Sequence, residues 1–183
     1  NMRRRRPMAA PYNSGASIPL VSTAMPSFPE AFDFYDAPGH LIRRAHQIAV
    51  SIFMEETAEY DLTPVQFALL EVLRHEQGLD QVTLANRVAL DASTSGSAMG
   101  RLESKGLIVR RLDPDDRRRR LLYLTDAGHA LVVRMRAAVV SAQQRILEPL
   151  APAEREAFCE LLRKLVDLNN ERSRAPLIAP GKR

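Results

Sequence analysis

Seven residues, Asp113-Pro114-Asp115-Asp116-Arg117-Arg118-Arg119, lie between two short apolar runs and can extend neither a helix nor a strand. The Asp-Pro pair opens a turn, because the proline ring fixes its own φ and pushes the preceding residue out of the helical region. On either side, 107–112 and 120–125 are rich in Leu, Ile, Val and Tyr and read as strands. Together the three pieces predict a β-hairpin with a long, charged tip.

Ahead of the hairpin the spacing is helical. A short helix over 81–89 buries Leu84, Ala85 and Val88, and Leu90-Asp91-Ala92 connects it to a second helix over 93–105. That helix stops at Gly106, a residue suited to the left-handed position after a helix end. Its two faces differ in kind: Ser95, Ala98, Met99 and Leu102 lie on one, and Thr94, Ser97, Arg101 and Ser104 on the other. Earlier, Leu41, Ile42, Ala45, Ile48, Ala49, Ile52 and Phe53 make a single apolar face, and Thr63-Pro64 opens a further helix as cap and first position. Later, Thr125 caps a long helix that runs to about Leu147 with Leu131, Met135, Ala138, Val139, Ala142 and Ile146 as its stripe. Pro152 starts the last helix, with Phe158, Leu161, Leu162, Leu165 and Val166 expected inside.

The fold predicted is mainly α with a small β-hairpin and about six helices. A helix, a short turn, a helix and an arginine-tipped hairpin, in that order, make a winged helix-turn-helix, here over 63–125. It sits in a single domain of 38–170, between flanking helices at 38–60 and 126–170. Residues 1–37 hold five of the twelve prolines and read as a disordered or loosely ordered basic arm, and 171–183 as a frayed tail.

The net charge of +4 is unevenly spread: 31–90 is acidic at −5, while 1–30, 91–120 and 121–183 are each +3. A basic block in mid-chain is the footprint of a polyanion-binding surface. One cysteine, Cys159, excludes an internal disulfide framework, and His40, His46, His75 and His129 are too scattered for a metal site. No Gly-rich phosphate loop, nucleophile elbow or paired carboxylates point to an enzyme, so neither metal nor cofactor is expected. No apolar run approaches the ~18 residues of a membrane span, and the basic start leads into no apolar stretch. A cytoplasmic protein is expected.

A helix enters the major groove of DNA only if its outward side chains are short and carry hydrogen-bonding groups. Ser93, Thr94, Ser95 and Ser97 meet that need at a helix N-terminus, whose dipole also favours phosphate. Arg101 is long enough for a guanine edge or a phosphate. Arg117, Arg118, Arg119 and Arg120 at the hairpin tip suit the narrower, electronegative minor groove, with Asp116 to hold a neighbouring guanidinium in place.

The string Leu107-Ile108-Val109-Arg110-Arg111-Leu112-Asp113-Pro114-Asp115-Asp116-Arg117-Arg118, followed by Leu124-Thr125-Asp126-Ala127-Gly128, resembles the wing of MarR-type regulators. Arg101-Leu102-Glu103-Ser104-Lys105-Gly106-Leu107 resembles the end of that family's recognition helix. The resemblance implies a homodimer built by the first and last two helices, a pseudo-palindromic double-stranded operator, and Asp116 and Arg118 as the wing's Asp-x-Arg pair. The acidic first block and the apolar stripes flanking the DNA module fit this independently. Residues 38–47 and 62–67 are similar to the branch governing aromatic-acid catabolism, whose CouR-type members respond to hydroxycinnamoyl-CoA thioesters.

That resemblance implies a repressor released by an aromatic acid or an aromatic acyl-CoA. His40, Arg43, Arg44 and His46 near the first helix's apolar face are candidate partners for the ligand's carboxylate or phosphate, and Phe53 and Phe67 candidate apolar walls. Two other readings stay open: oxidation sensing through Cys159, which its place near an apolar stripe disfavours, and unspecific architectural DNA binding.

Overall fold

The computed structural model describes residues 33–180. The chain divides into two units, 1–41 and 42–183. Of the first, the described part is a turn in which Ala37 N–H donates to the Phe34 carbonyl and the rings of Phe34 and Tyr35 meet His40 edge-on at 4.5 and 5.7 Å. The expected arm therefore ends in an ordered turn at 33–37, and Arg3-Arg4-Arg5-Arg6 lie outside the described residues.

Six helices follow in order: α1 (Pro38–Glu56), α2 (Pro64–His75), α3 (Gln81–Arg87), α4 (Ala92–Ser104), α5 (Asp126–Leu147) and α6 (Pro152–Leu168). Short 3-10 turns, Ala58–Tyr60 and Asn170–Arg172, follow α1 and α6. The starts are set by side chains that satisfy free backbone N–H groups. Thr63 and Gln66 form a reciprocal capping box on α2 with Pro64 inside it, and the Thr125 hydroxyl accepts from Gly128 N–H at 3.0 Å on α5. Asp80 and Asp91 cap α3 and α4.

Strands β2 (Ile108–Leu112) and β3 (Arg120–Leu124) form the expected antiparallel hairpin, with Arg110 opposite Leu122. The sheet has a third strand, β1 (Leu79–Asp80), on the other side of β3, so the order is β1-β3-β2. Two residues are too few to leave a period in the sequence. Gly78 sets up the strand from a left-handed φ of 74° and donates its N–H to the Leu122 carbonyl at 3.0 Å. Gly106 takes the left-handed position after α4, as its place in the sequence predicts.

The core lies where α2, α3, α4, the sheet and the first half of α5 meet. Leu69, Leu70, Leu73, Leu84, Met99, Leu102, Leu122 and Met135 are fully enclosed there. The outer helices behave otherwise. Phe53 alone is buried on α1, and no residue of α6 is. Phe158, Leu161, Leu162, Leu165 and Val166, expected inside, are instead between 41% and 68% exposed, because nothing among the described residues covers them. The tail also differs from expectation: Ile178 N–H donates to the Asn86 carbonyl at 3.0 Å, so it is docked on α3 rather than frayed. Among the described residues no helix is long and apolar enough to cross a membrane.

Candidate nucleic-acid interface

The connection between α3 and α4 is the four residues 88–91, with Ala89 left-handed at φ 52°. Asp91 ends it. One carboxylate oxygen accepts the backbone N–H groups of Ser93 and Thr94 at 3.1 and 3.0 Å, and the other accepts the Thr94 hydroxyl at 2.8 Å. These bonds, that of the Thr94 backbone foremost, hold the Asp91 carboxyl below its usual range. Sequence alone did not assign Asp91 a role, although an Asp directly before a Ser/Thr-rich helix start is a cap signature.

Beyond that cap, Ser93, Thr94, Ser97 and Arg101 are exposed on one face of α4, while Ala98, Met99 and Leu102 are buried on the other. Ser95 does not belong to the exposed set. It is fully buried and its hydroxyl donates to the Ala92 carbonyl at 3.1 Å, so it cannot reach a base. Position 95 follows the core spacing of 98, 99 and 102, and that spacing overrides its polar character. Thr94 is exposed, but its hydroxyl is committed to Asp91. This leaves Ser93, Ser97 and Arg101 with outward polar groups for a base edge.

The wing tip is braced by its own backbone. Asp113 N–H donates to the Arg119 carbonyl at 3.0 Å, and Arg119 N–H to the Asp116 carbonyl at 2.9 Å. The Asp116 carboxylate accepts from Arg118 N–H at 3.0 Å, so it shapes the turn and does not hold a guanidinium as expected. Arg119 turns back from the tip, with its guanidinium 3.0 Å from Asp80 and 3.7 Å from the buried Asp113. The side chains of Arg117, Arg118 and Arg120 stay exposed and outside the ion pairs formed among the described residues. Arg119 thus anchors the wing and the other three present charge. Nothing local marks this partnership, since Asp80 and Arg119 are 39 positions apart.

Asp80 ties the two halves together. It caps α3 by accepting Thr83 N–H at 2.9 Å and the Thr83 hydroxyl at 2.8 Å, and it receives Arg119 from the wing. Burial pushes its carboxyl up, but the Thr83 and Arg119 bonds together outweigh that and hold it below its ordinary value. At the other end of α4, Lys105 reaches Asp61, 2.7 Å from its carboxylate and also bonded to its carbonyl.

A cleft of about 260 Å³ opens between α2 and α5. Phe67, Val132, Val139 and Val140 give it apolar walls, and Glu71, Arg74 and Arg136 its charges. The Phe53 ring lies 6.0 Å from that of Phe67. Glu71 is held below the usual carboxylate range first by Arg74, whose guanidinium is 2.7 Å away, and further by His75. Of the residues expected at an effector, Phe67 lines this cleft and Phe53 adjoins that ring. Arg43, Arg44 and His46 stand exposed on α1 and do not line it, Arg43 donating to Gln47 at 2.9 Å. His40 packs with Phe34 and Tyr35 in the first unit. The cleft's cations are Arg74 and Arg136, which no local pattern singles out. Glu55 and Glu56 pair with Arg145 of α5, not with the α1 arginines.

A family model described as the MarR family matches residues 60–119. The HTH-type transcriptional repressor NicR of Pseudomonas putida is 32% identical over 152 residues, which cover 83% of this chain and 92% of NicR. A solved structure concerned with regulation of DNA binding of Bordetella bronchiseptica BpsR by 6-hydroxynicotinic acid is 36% identical, with a TM-score of 0.71 over 75% of this chain and 98% of that one. The transcriptional repressor CouR, solved on a 23-mer DNA duplex, is 30% identical with a TM-score of 0.66 over 71% of this chain and 92% of its own. With the wing and the capped, small-residue helix in place, this likeness over nearly the full length of a regulator shows that the chain belongs to the MarR family of transcriptional regulators.

Proposed function

We propose that the protein is a dimeric, sequence-specific repressor that leaves its operator when a single-ring aromatic acid occupies the α2–α5 cleft. The observation that carries the DNA reading is the Asp80 junction. One carboxylate caps α3, the first helix of the helix-turn-helix, and anchors the wing, so helix-turn-helix and charged tip are joined in one head. In this reading Ser93, Ser97 and Arg101 face bases, Arg117, Arg118 and Arg120 face phosphate or the minor groove, and Thr94, Asp116 and Arg119 hold the geometry. BpsR, whose DNA binding is regulated by 6-hydroxynicotinic acid, and CouR, solved on a DNA duplex, support the reading of a ligand-responsive DNA-binding protein.

The open apolar faces of α1 and α6 supply the dimer contact. Residues such as Ile42, Ile48, Leu161 and Val166 are between 49% and 68% exposed in one chain, a state that a second copy relieves. Two heads then sit on successive major grooves ~34 Å apart, so a small change in their spacing costs operator affinity. The α2–α5 cleft is placed for that change, since α2 packs in the head and α5 leads from the wing toward α6.

Ligand class follows from size and charge. About 260 Å³ is at the small end of the ~300–1,000 Å³ typical of small-molecule sites. It accommodates one aromatic ring with its acid group, while a CoA thioester has to leave most of its length outside. Arg74 is already bonded to Glu71, which makes Arg136 the partner for a carboxylate. The protein works in the cytoplasm, where its DNA is.

The test is a titration of the protein against its own upstream promoter fragment and a random duplex at equal salt, with and without 6-hydroxynicotinic, protocatechuic and hydroxycinnamic acids. Preference for the promoter, lost with one of these acids and retained in Arg136→Ala, is the expected result. Equal binding to both duplexes makes the protein an unspecific architectural factor. Promoter affinity unmoved by every acid and its CoA ester removes the effector reading. If peroxide weakened binding by the native protein but not by Cys159→Ser, oxidation would replace ligand as the signal.

A further inference from the structure

The strand of chain after α6 returns to the head and is bonded there on both sides. Asn170 first closes it into a loop: its amide oxygen accepts Leu177 N–H at 2.8 Å, and its amide nitrogen donates to the Leu177 carbonyl at 3.1 Å. The next residue, Ile178, donates its N–H to the Asn86 carbonyl at 3.0 Å and accepts Arg87 Nη1 at 2.7 Å. Asn86 and Arg87 end α3, where helical carbonyls lack intrahelical partners, so the tail acts as an external cap. Arg87 in turn holds Glu76 at the end of α2 at 3.0 Å, with only 16% of its side chain exposed. The charge of Arg174 also acts on Asp91, the cap of α4, in addition to the larger effect of Thr94. Ends of α2, α3 and the tail therefore converge beside the left-handed Ala89, on which the angle between α3 and α4 turns.

We propose that residues 170–178 are a strap that locks the α3–α4 turn and ties it to α6, so that the pose of the recognition helix depends on that of the last helix. An isolated head gains nothing from such a tie. A head joined to a dimerisation helix gains a second link to the dimer scaffold besides α5, and the two links together fix its orientation where one leaves a swivel. The strap is separate from the effector cleft, and it rests on the DNA-binding reading only for its affinity measurement.

Two variants of the full chain test it: one ending after Ser173, which removes the docked segment, and Asn170→Ala, which opens the loop and leaves α6 intact. Hydrogen exchange read by mass spectrometry over 85–91 is expected to speed up about tenfold in both, the factor that loss of one or two net hydrogen bonds produces. Promoter affinity is expected to fall at least several-fold, with the mass in solution unchanged. Exchange and affinity equal to the native protein in Asn170→Ala would overturn the proposal, whatever the shortened chain does. Faster exchange with unchanged affinity would also overturn it, by showing a strap that steadies the turn without setting the recognition helix. Loss of promoter preference in the native protein itself would remove the DNA reading but leave the exchange result standing.

Discussion

Substituting Gly128 by Ala places a methyl group where the start of α5 meets the end of the recognition unit. A Cβ at this buried position would stand 2.2 Å from the Leu107 carbonyl oxygen, 2.7 Å from Leu124 Cδ1 and 3.1 Å from the Leu107 carbonyl carbon. Ordinary contact begins near 3.4 Å, and two of the three obstacles are backbone atoms, so a rotamer change cannot relieve the clash. The same Leu107 oxygen accepts Thr125 N–H at 3.1 Å, and the Thr125 hydroxyl caps Gly128 itself. Admitting the methyl therefore separates α5 from β2 and breaks its cap. Overpacking costs roughly 1–3 kcal/mol and the lost hydrogen bond about 1 kcal/mol, while Ala in place of a helical Gly returns roughly 0.5–1 kcal/mol. The net loss is about 1–3.5 kcal/mol, which for a chain of this size lowers Tm by roughly 2–14 °C. Thermal melts at one protomer concentration measure it, with Gly100→Ala as the control, because nothing lies within 4 Å of a Cβ there. Gly128→Ala melting within about 1 °C of the native protein would refute the reasoning, since a shift that small is under 1 kcal/mol.

The control carries its own expectation: Gly100→Ala raises Tm, by the roughly 0.5–1 kcal/mol of helix propensity, yet weakens promoter binding if the α4 backbone closely approaches DNA, as gel-shift titration reads. Arg118→Ala should flatten the dependence of log affinity on log salt by about one unit, and an unchanged slope would place Arg118 off the phosphates. Arg119→Ala frees the wing from Asp80 and Asp113, so its affinity loss should come with faster hydrogen exchange across β2 and β3, whereas Arg118→Ala leaves exchange as it was. The Asp80 carboxyl sits below its unfolded value near 3.8, so its contribution is complete at pH above that value and lost as pH falls through the lower, folded one. An acid titration should therefore unfold Asp80→Asn with a weaker pH dependence than the native protein below about pH 4, and identical profiles would deny Asp80 this role.

Helices and hairpin were legible because each has a local signature. Thr63-Pro64, Thr125 and Gly106 mark ends by chemistry that acts within four residues, and these boundaries match the structure to within a residue or two. Ser95 has the residue type of a DNA-facing position but the spacing of the buried row of Ala98, Met99 and Leu102, and the spacing decides where it lies. What sequence could not yield is contact between distant segments. Asp80 with Arg119 and Ile178 with Arg87 are bonded across different elements, Phe67 and Arg136 line one cleft from two helices, and no periodicity links them. The α2–α5 cleft illustrates this: an arginine pair beside an apolar stripe, such as Arg43 and Arg44, marks a helix surface, whereas a cleft is made by two helices, and the cations of this one come from α2 and α5.

The recognition helix carries Gly96 and Gly100 with five Ser or Thr among its thirteen residues, a composition of low helix propensity. Its order is borrowed from Asp91 at one end and from one buried row along its length. Because the outer row contributes so little to that order, substitutions there leave what is folded unharmed. On the proposed reading of positions 93, 97 and 101, descendants of such a gene acquire new target sites in a few steps, each intermediate remaining a sound protein.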